Sequence, residues 1–259
     1  MQLAKEHFPS GLKKVPSGVS LTEFYDLLEL KTTNAALAKT LQQKFCDLME
    51  TWEPFKQHER VIEWAILNNS PVLTTNFDRA LADAGRLKLL RTKSFGFTDY
   101  YPWESYYGNN EVMDPSKEFG LWHINGMIEY HRSIRLGLTH YMGSVERARK
   151  WIHKENEQNL FSGKNIRYWK GYKSWLHIIF NTALLIFGLG LEENEVFFRW
   201  LLIERARYFK KFPNRMKNAW YVYNKSQDNP GKKFFLEGVG VKVVQVEGYD
   251  DIYGPKVWD

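Results

Sequence analysis

The stretch Pro71-Val72-Leu73-Thr74-Thr75-Asn76-Phe77-Asp78 runs apolar and β-branched, then stops at an amide and a carboxylate. Arg79-Ala80-Leu81-Ala82-Asp83-Ala84 follows with helical composition. A buried parallel strand delivers polar groups to the end of a sheet in this way before the chain turns into a helix. Ligands of open α/β sheets bind outside such strand ends. Asn76 and Asp78, two apart, share a face for as long as the strand persists. A plainer reading stands beside this one: Asn76 closes a turn and Asp78 caps the next helix.

Outward from this stretch, strand and helix alternate. Met1 to Val19 carries Pro9, Gly11, Pro16 and Gly18 and reads as an irregular segment 1–19 ahead of one α/β domain, 20–259. Ser20-Leu21-Thr22-Glu23 is a capping-box pattern that opens a helix through about Lys31. Asn34–Trp52 and His58–Asn68 carry helical apolar periodicity, and Pro54 separates them. Leu87–Ser94 reads as a short strand, and 95–118 as a long polar and aromatic loop, a lid or binding surface by its length. Its aromatic rings suit stacking on a base or packing onto the sheet. Phe119–Gly126 is the next strand, Ile134–Leu138 a short partner, and Ser144-Val145-Glu146 the start of a capped helix. Residues 156–170 form a basic, polar connection, and Tyr172–Phe180 is helical. Thr182–Phe187, the most apolar run, reads as a central strand, followed by an amphipathic helix to about Phe212. Ala219–Tyr223 and Val241–Val246 are further strands around a helix that starts near Pro230. The expected class is α/β with a mainly parallel sheet flanked by helices.

A chain of 259 residues, 44% hydrophobic and 25% charged, is long enough for a sizeable core. The 16% aromatic share and 10 Trp point to bulky core anchors rather than a disordered chain. The net charge of +6 permits contact with anionic partners, but Lys13-Lys14, Lys210-Lys211 and Lys232-Lys233 are isolated pairs. No basic track forms, so nucleic acid is a weak expectation. Cys46 is the only cysteine, which rules out an intrachain disulfide and a Cys-rich zinc module. Neither a membrane-spanning run nor the apolar middle of a signal peptide is present, and a cytoplasmic location is expected.

Three strand ends carry polar or glycine-rich tips: Asn76/Asp78, His123/Asn125/Gly126 and Gly188/Gly190/Glu192. A glycine pair after a buried strand lets backbone N–H groups approach a phosphate or ribose, although Gly188-x-Gly190 lacks the third glycine of the dinucleotide fingerprint. Glu192, Glu193 and Glu195 open a helix, where acidic side chains suit the dipole. His123 and Asn125 share one strand face, with Trp122 and Ile124 on the other. A histidine at a sheet end is a candidate general base or a hydrogen-bonded structural group. His131 and His140 carry less weight, and no spacing suggests a metal site or a nucleophile elbow.

In order, Thr74-Thr75-Asn76-Phe77-Asp78, Trp122-His123-Ile124-Asn125-Gly126 and Phe187-Gly188-Leu189-Gly190-Leu191-Glu192 resemble the bacterial sirtuin-like NAD-binding domains over roughly 20–250. The resemblance implies a Rossmann-like fold. It assigns Asn76 to the nicotinamide ribose and the attacking water, with Thr75 and Asp78 beside it. Gly188 and Gly190, with Glu192, fall on the adenosine side of NAD, and Gly126 on the catalytic dipeptide. Many members of the family hydrolyse NAD to nicotinamide and ADP-ribose, often as antiphage defence effectors. A homo-oligomer or a partner subunit is expected.

The chain departs from that family in three places. One cysteine cannot supply the four-cysteine zinc module of protein deacylases, so no zinc is expected and NAD hydrolysis ranks ahead of deacylation. The opening strand and G-A-G-x-S phosphate loop have no counterpart in residues 1–20, where Ser10-Gly11 and Ser17-Gly18 are poor substitutes. Asn125-Gly126 stands where the family has His-Gly. An amide holds a ribose hydroxyl but accepts no proton from it, which leaves either an inactivating replacement or His123 acting from about 6–7 Å back along the strand. The expectation is an NAD hydrolase lineage with impaired chemistry; the alternative is a non-catalytic module that binds NAD, ADP-ribose or a partner protein.

Overall fold

The computed structural model describes residues 15–32, 40–92, 101–163, 166–193 and 195–258. Three helices lead the chain: α1 (Leu21–Thr32), α2 (Leu41–Met49) and α3 (Lys56–Leu67). The Ser20 capping box closes as the sequence predicts. The Ser20 N–H donates to Glu23 Oε2 at 2.8 Å, and the Glu23 N–H to Ser20 Oγ at 3.2 Å. Thr40 and Gln43 close a second capping box at the start of α2; the expected earlier part of that helix, 34–39, lies outside the described residues. On α3, Val61, Ile62 and Ala65 are buried, one stripe of a helix whose other faces meet water.

The strands divide between two sheets. Strand β1 (Val72–Thr74) pairs in parallel with β4 (Leu121–His123), which continues antiparallel into β3 (Ser105–Gly108) and then β2 (Lys88–Arg91). The helix α4 (Ala80–Ala84) sits between β1 and β2 in the chain. The second sheet is β5 (Leu184–Ile186), β6 (Ala219–Asn224) and β7 (Lys242–Val246), all parallel. Around it lie α5 (Leu138–Arg149), α6 (Trp175–Asn181), α7 (Val196–Lys211), α8 (Pro230–Gly238) and α9 (Asp250–Tyr253). The class is mixed α/β, with one mixed and one parallel sheet flanked by helices. One hydrophobic core joins Trp122 and Ile124 of the first sheet to Leu184, Ile186 and Tyr221 of the second.

Several expectations are corrected. The 95–118 loop contains β3, whose four residues are all buried, so the sheet edge is antiparallel rather than parallel. Its aromatics pack inward: Tyr106 stacks on Trp122 at 4.7 Å and Trp103 on Trp175 at 5.2 Å. Residues 95–100, the rest of that aromatic run, lie outside the described residues. Ile134–Leu138 is no strand, because Gly137 turns the chain straight into α5. Ser144 therefore lies inside that helix rather than at its start, and its Oγ accepts from Arg135 Nε at 2.9 Å. The 156–170 connection buries Leu160 and Trp169, and is less polar in its packing than in its composition. In α6 six of seven residues are buried, Trp175, Leu176 and Phe180 among them. Each large apolar side chain so buried is worth about 1.5–3 kcal/mol of transfer free energy.

Candidate functional site

At the end of β1 the backbone bends around Thr74, whose Oγ1 accepts the Asn76 N–H at 3.1 Å. The bend leaves the Asn76 side chain exposed at the sheet edge. Phe77 passes its carbonyl to the Ile128 N–H at 3.1 Å. Asp78 is buried, and its Oδ1 accepts the Ala80 N–H at 2.9 Å, which makes it the polar group that opens α4. Asn76 and Asp78 therefore do not share a face: the strand ends at Thr74, before either of them.

His123 lies on β4 opposite Thr74 and is fully buried. Its Nε2–H donates to the Asp78 carbonyl at 3.0 Å, since a carbonyl only accepts. That bond sets the tautomer and leaves Nδ1 as a bare acceptor, with no hydrogen-bond partner among the described residues. Burial pushes the imidazole below its ordinary range, so the ring stays neutral at pH 7. The Tyr107 ring meets it edge-on at 5.6 Å.

Asn125 follows two residues later, also buried, and its Nδ2 donates a long bond to the Thr75 carbonyl at 3.4 Å. Its own carbonyl accepts the Arg135 N–H at 2.9 Å. Tyr101 braces the same strand end, its hydroxyl donating to the Ile124 carbonyl while its ring lies 4.6 Å under the Arg135 guanidinium. Gly126 takes φ +104°, and a Cβ there would collide with the Ser133 carbonyl. We expect Gly126→Ala to cost about 3 kcal/mol, from left-handed strain plus the displaced Ser133 backbone. Urea unfolding measures the loss; a cost under about 1 kcal/mol would mean that the β4 tip moves freely.

Across from β1, the end of β5 carries Gly188 at φ +66°, where a side chain would strike the Tyr253 hydroxyl. The Leu189 carbonyl accepts from Tyr221 Oη at 2.7 Å, which pins the turn to β6. Gly190 has open space around its Cα apart from Glu192. Glu192 Oε1 is 2.8 Å from Nζ of Lys232 on α8, a pair formed by a buried lysine and an exposed carboxylate.

A cleft of about 1080 Å³ lies between β1 and β5. Thr75 and Asn76 line one wall and Gly188 the other. Asp78, His123, Asn125, Gly126, Gly190 and Glu192 do not line it. His123 and Asp78 meet each other instead, and Glu192 meets Lys232. Sequence reasoning missed the aromatic wall formed by Trp64, Trp220, Tyr249, Tyr253 and Trp258. Trp258 packs on Trp64 at 5.4 Å and on Phe187 at 5.1 Å. The available signal was the density of rings in Tyr249–Trp258, so close to the end of the sequence. An exposed amide, a glycine turn and flat aromatic walls suit a ligand with hydroxyls and a planar ring.

Compared with family models, curated proteins and solved structures, the chain gives no match. Among the described residues no cluster of three or more His, Cys, Asp or Glu could hold a metal ion, and no helix is long and apolar enough to cross a membrane.

Proposed function

We propose that this chain is a Rossmann-like, sirtuin-like NAD-binding domain of the NAD hydrolase type, cleaving NAD to nicotinamide and ADP-ribose. The observation that carries the reading is Asn76, exposed at the end of a parallel strand and lining the same cleft as Gly188 at the end of β5. Ligands of such sheets sit beyond the strand ends. Cleavage of the nicotinamide–ribose bond builds positive charge on the ribose. The site's task is to hold that ribose, exclude bulk water and aim one water at the anomeric carbon. The Asn76 amide donates and accepts, so it suits a ribose hydroxyl and a water together. The aromatic wall offers stacking for a ring.

A second reading, a non-catalytic NAD or ADP-ribose binding module, is favoured by one observation. The histidine nearest the strand ends, His123, is buried and bonded to Asp78 rather than facing the cleft. Titration calorimetry with NAD and with ADP-ribose tests both readings on the chain and on Asn76→Ala. Asn76 is exposed, so its loss leaves the fold intact. The chain is expected to bind, and Asn76→Ala to weaken NAD by about tenfold or more, the worth of one or two ligand hydrogen bonds. Equal affinity would remove Asn76 from the site. Binding of NAD without nicotinamide release would favour the second reading.

A further inference from the structure

A second cavity, of about 290 Å³, lies against α2 and shares no lining residue with the β1–β5 cleft. Gln43, Cys46, Asp47 and Glu50 form one wall, at the spacing of a single helix face. Arg79, just before α4, and Ile128, Glu129 and His131 of the turn after β4 form the other. The two walls are fixed to each other. Gln42 Nε2 donates to Ile134 O at 3.0 Å, Phe45 meets Phe77 edge-on at 5.9 Å, and the Phe77 carbonyl accepts the Ile128 N–H at 3.1 Å.

The chain carries a net charge of +6, yet this cavity is acidic. Asp47, Glu50 and Glu129 line it with a single guanidinium, that of Arg79. Arg79 divides itself between Asp83 and Glu129, its Nε 3.9 Å from an oxygen of each, too long for a hydrogen bond to either. The Cys46 thiol registers the surplus: burial pushes it up to about 11, and the Asp47, Glu129 and Glu50 carboxylates all add to the rise. Tyr107 brings a further unmet group. It is 5% exposed, and its hydroxyl has no hydrogen-bond partner among the described residues. The charges that act on that hydroxyl most are those of Glu129 and Arg79, both on the cavity wall. A buried hydroxyl left open beside a cavity calls for a partner inside it.

The arrangement also selects the kind of cation. Among the described residues no three His, Cys, Asp or Glu side chains converge where one metal ion could be held. The carboxylates are spread around the cavity instead, two along α2 and one across from them. An occupant that meets all three carries positive charge at more than one point of its length. The volume is that of about ten waters, which suits a chain of about ten non-hydrogen atoms. Ile128 and the Cys46 sulfur offer apolar contact to methylene groups between the charges.

We infer that the cavity between α2 and the turn after β4 is a binding site for a linear aliphatic polyamine. Its ammonium groups pair with Asp47 and Glu50 at one end and with Glu129 at the other. The inference does not depend on the NAD reading, since the two cavities have separate walls.

Cys46, the only cysteine, lines the cavity and makes the test specific to it. Spermidine is added to the full chain at constant ionic strength, and the rate of Cys46 modification by a neutral maleimide is followed. Saturating spermidine is expected to slow the reaction at least about tenfold, while a neutral diol of matching length and magnesium chloride leave it unchanged. Glu50→Gln and Glu129→Gln are each expected to raise the spermidine concentration for half-protection at least about threefold, the worth of one partly exposed ion pair. Glu53→Gln, on the surface and outside the cavity, is expected to match the parent chain. The inference is overturned if spermidine leaves the rate unchanged, or if the diol or magnesium protects equally. It is also overturned if Glu53→Gln weakens protection as much as the two wall variants do, since spermidine would then be responding to the general surface charge.

Discussion

Asn125→His is expected to release nicotinamide from NAD at least about 100-fold faster than the parent chain, the usual worth of a positioned general base. The amide at 125 sits at the tip of β4, and its Nδ2 reaches the Thr75 carbonyl only at 3.4 Å. Little is lost when that bond goes. A histidine ring at the same position extends further from the same backbone, toward the Thr75–Asn76 turn that lines the cleft. It offers a nitrogen lone pair near neutrality, which an amide does not. The backbone around it is well fixed, by the Arg135 N–H on the Asn125 carbonyl at 2.9 Å and by the conformation of Gly126. The measurement is nicotinamide release by the parent chain and the variant at equal NAD. Turnover in the variant alone marks a hydrolase site switched off at one residue. Silence in both, with NAD binding retained, removes the hydrolase reading and leaves the binding module. Equal turnover in both would place the base elsewhere.

His123 would be the natural second choice from sequence, and the geometry explains why sequence could not rank it. Strand alternation correctly places it on one face of β4, opposite Trp122 and Ile124. Nothing in the alternation says which face opens to a cleft. In the fold that face is covered by Tyr107 and by the Asp78 turn. The same limit applies to Asp78. Its type and its place before a helical run allow a capping role and a site role equally. The choice falls to one hydrogen bond, Oδ1 to the Ala80 N–H.

Local signals were legible where a short-range rule decides them. The Ser20 capping box, the Pro230 helix start with Asn229 accepting the Lys232 N–H, and the apolar strand at 184–186 all follow from neighbours within four residues. The central place expected for that strand does not hold, since β5 ends its sheet among the described residues. What stayed hidden depends on distant partners. Ser105–Gly108 becomes a strand because β4 and β2 lie on either side of it, and a polar, aromatic composition does not announce that. The aromatic wall from Tyr249 to Trp258 reaches the cleft through packing on Trp64 and Phe187 and through the Arg60 guanidinium on the Tyr253 carbonyl, all far away in sequence.

Arg205→Met is expected to cost about 4 kcal/mol of folding free energy. Arg205 is 2% exposed, at the centre of α7, and its guanidinium donates to four carbonyls. Nε reaches Ile179 O at 2.8 Å, and Nη2 reaches Thr182 O at 3.1 Å, Lys217 O at 2.9 Å and Asn218 O at 3.2 Å. These carbonyls end α6 and lead into β5 and β6, so one side chain ties three elements. Burial lowers its pKa to about 10, which still leaves it charged at neutral pH. Methionine keeps the packing on Phe209, now 4.5 Å from the guanidinium carbon, and removes every donor. The Asn218 carbonyl keeps the Leu184 N–H at 3.0 Å; each of the other three, left without a partner, costs about 1–3 kcal/mol, and partial access of water keeps the sum near the lower end. Arg205→Lys restores the charge without the planar fork, and is expected to recover less than half of the loss. Urea unfolding of the three proteins reads this directly, with an unchanged m-value as the sign that the native state is otherwise intact. A loss under about 1 kcal/mol for Arg205→Met would mean that the ladder between β5 and β6 holds those carbonyls in place unaided. The larger loss would make Arg205 the fastening of the β5 wall of the cleft. It would also bring a selective rise in amide exchange over 182–188, ahead of global unfolding.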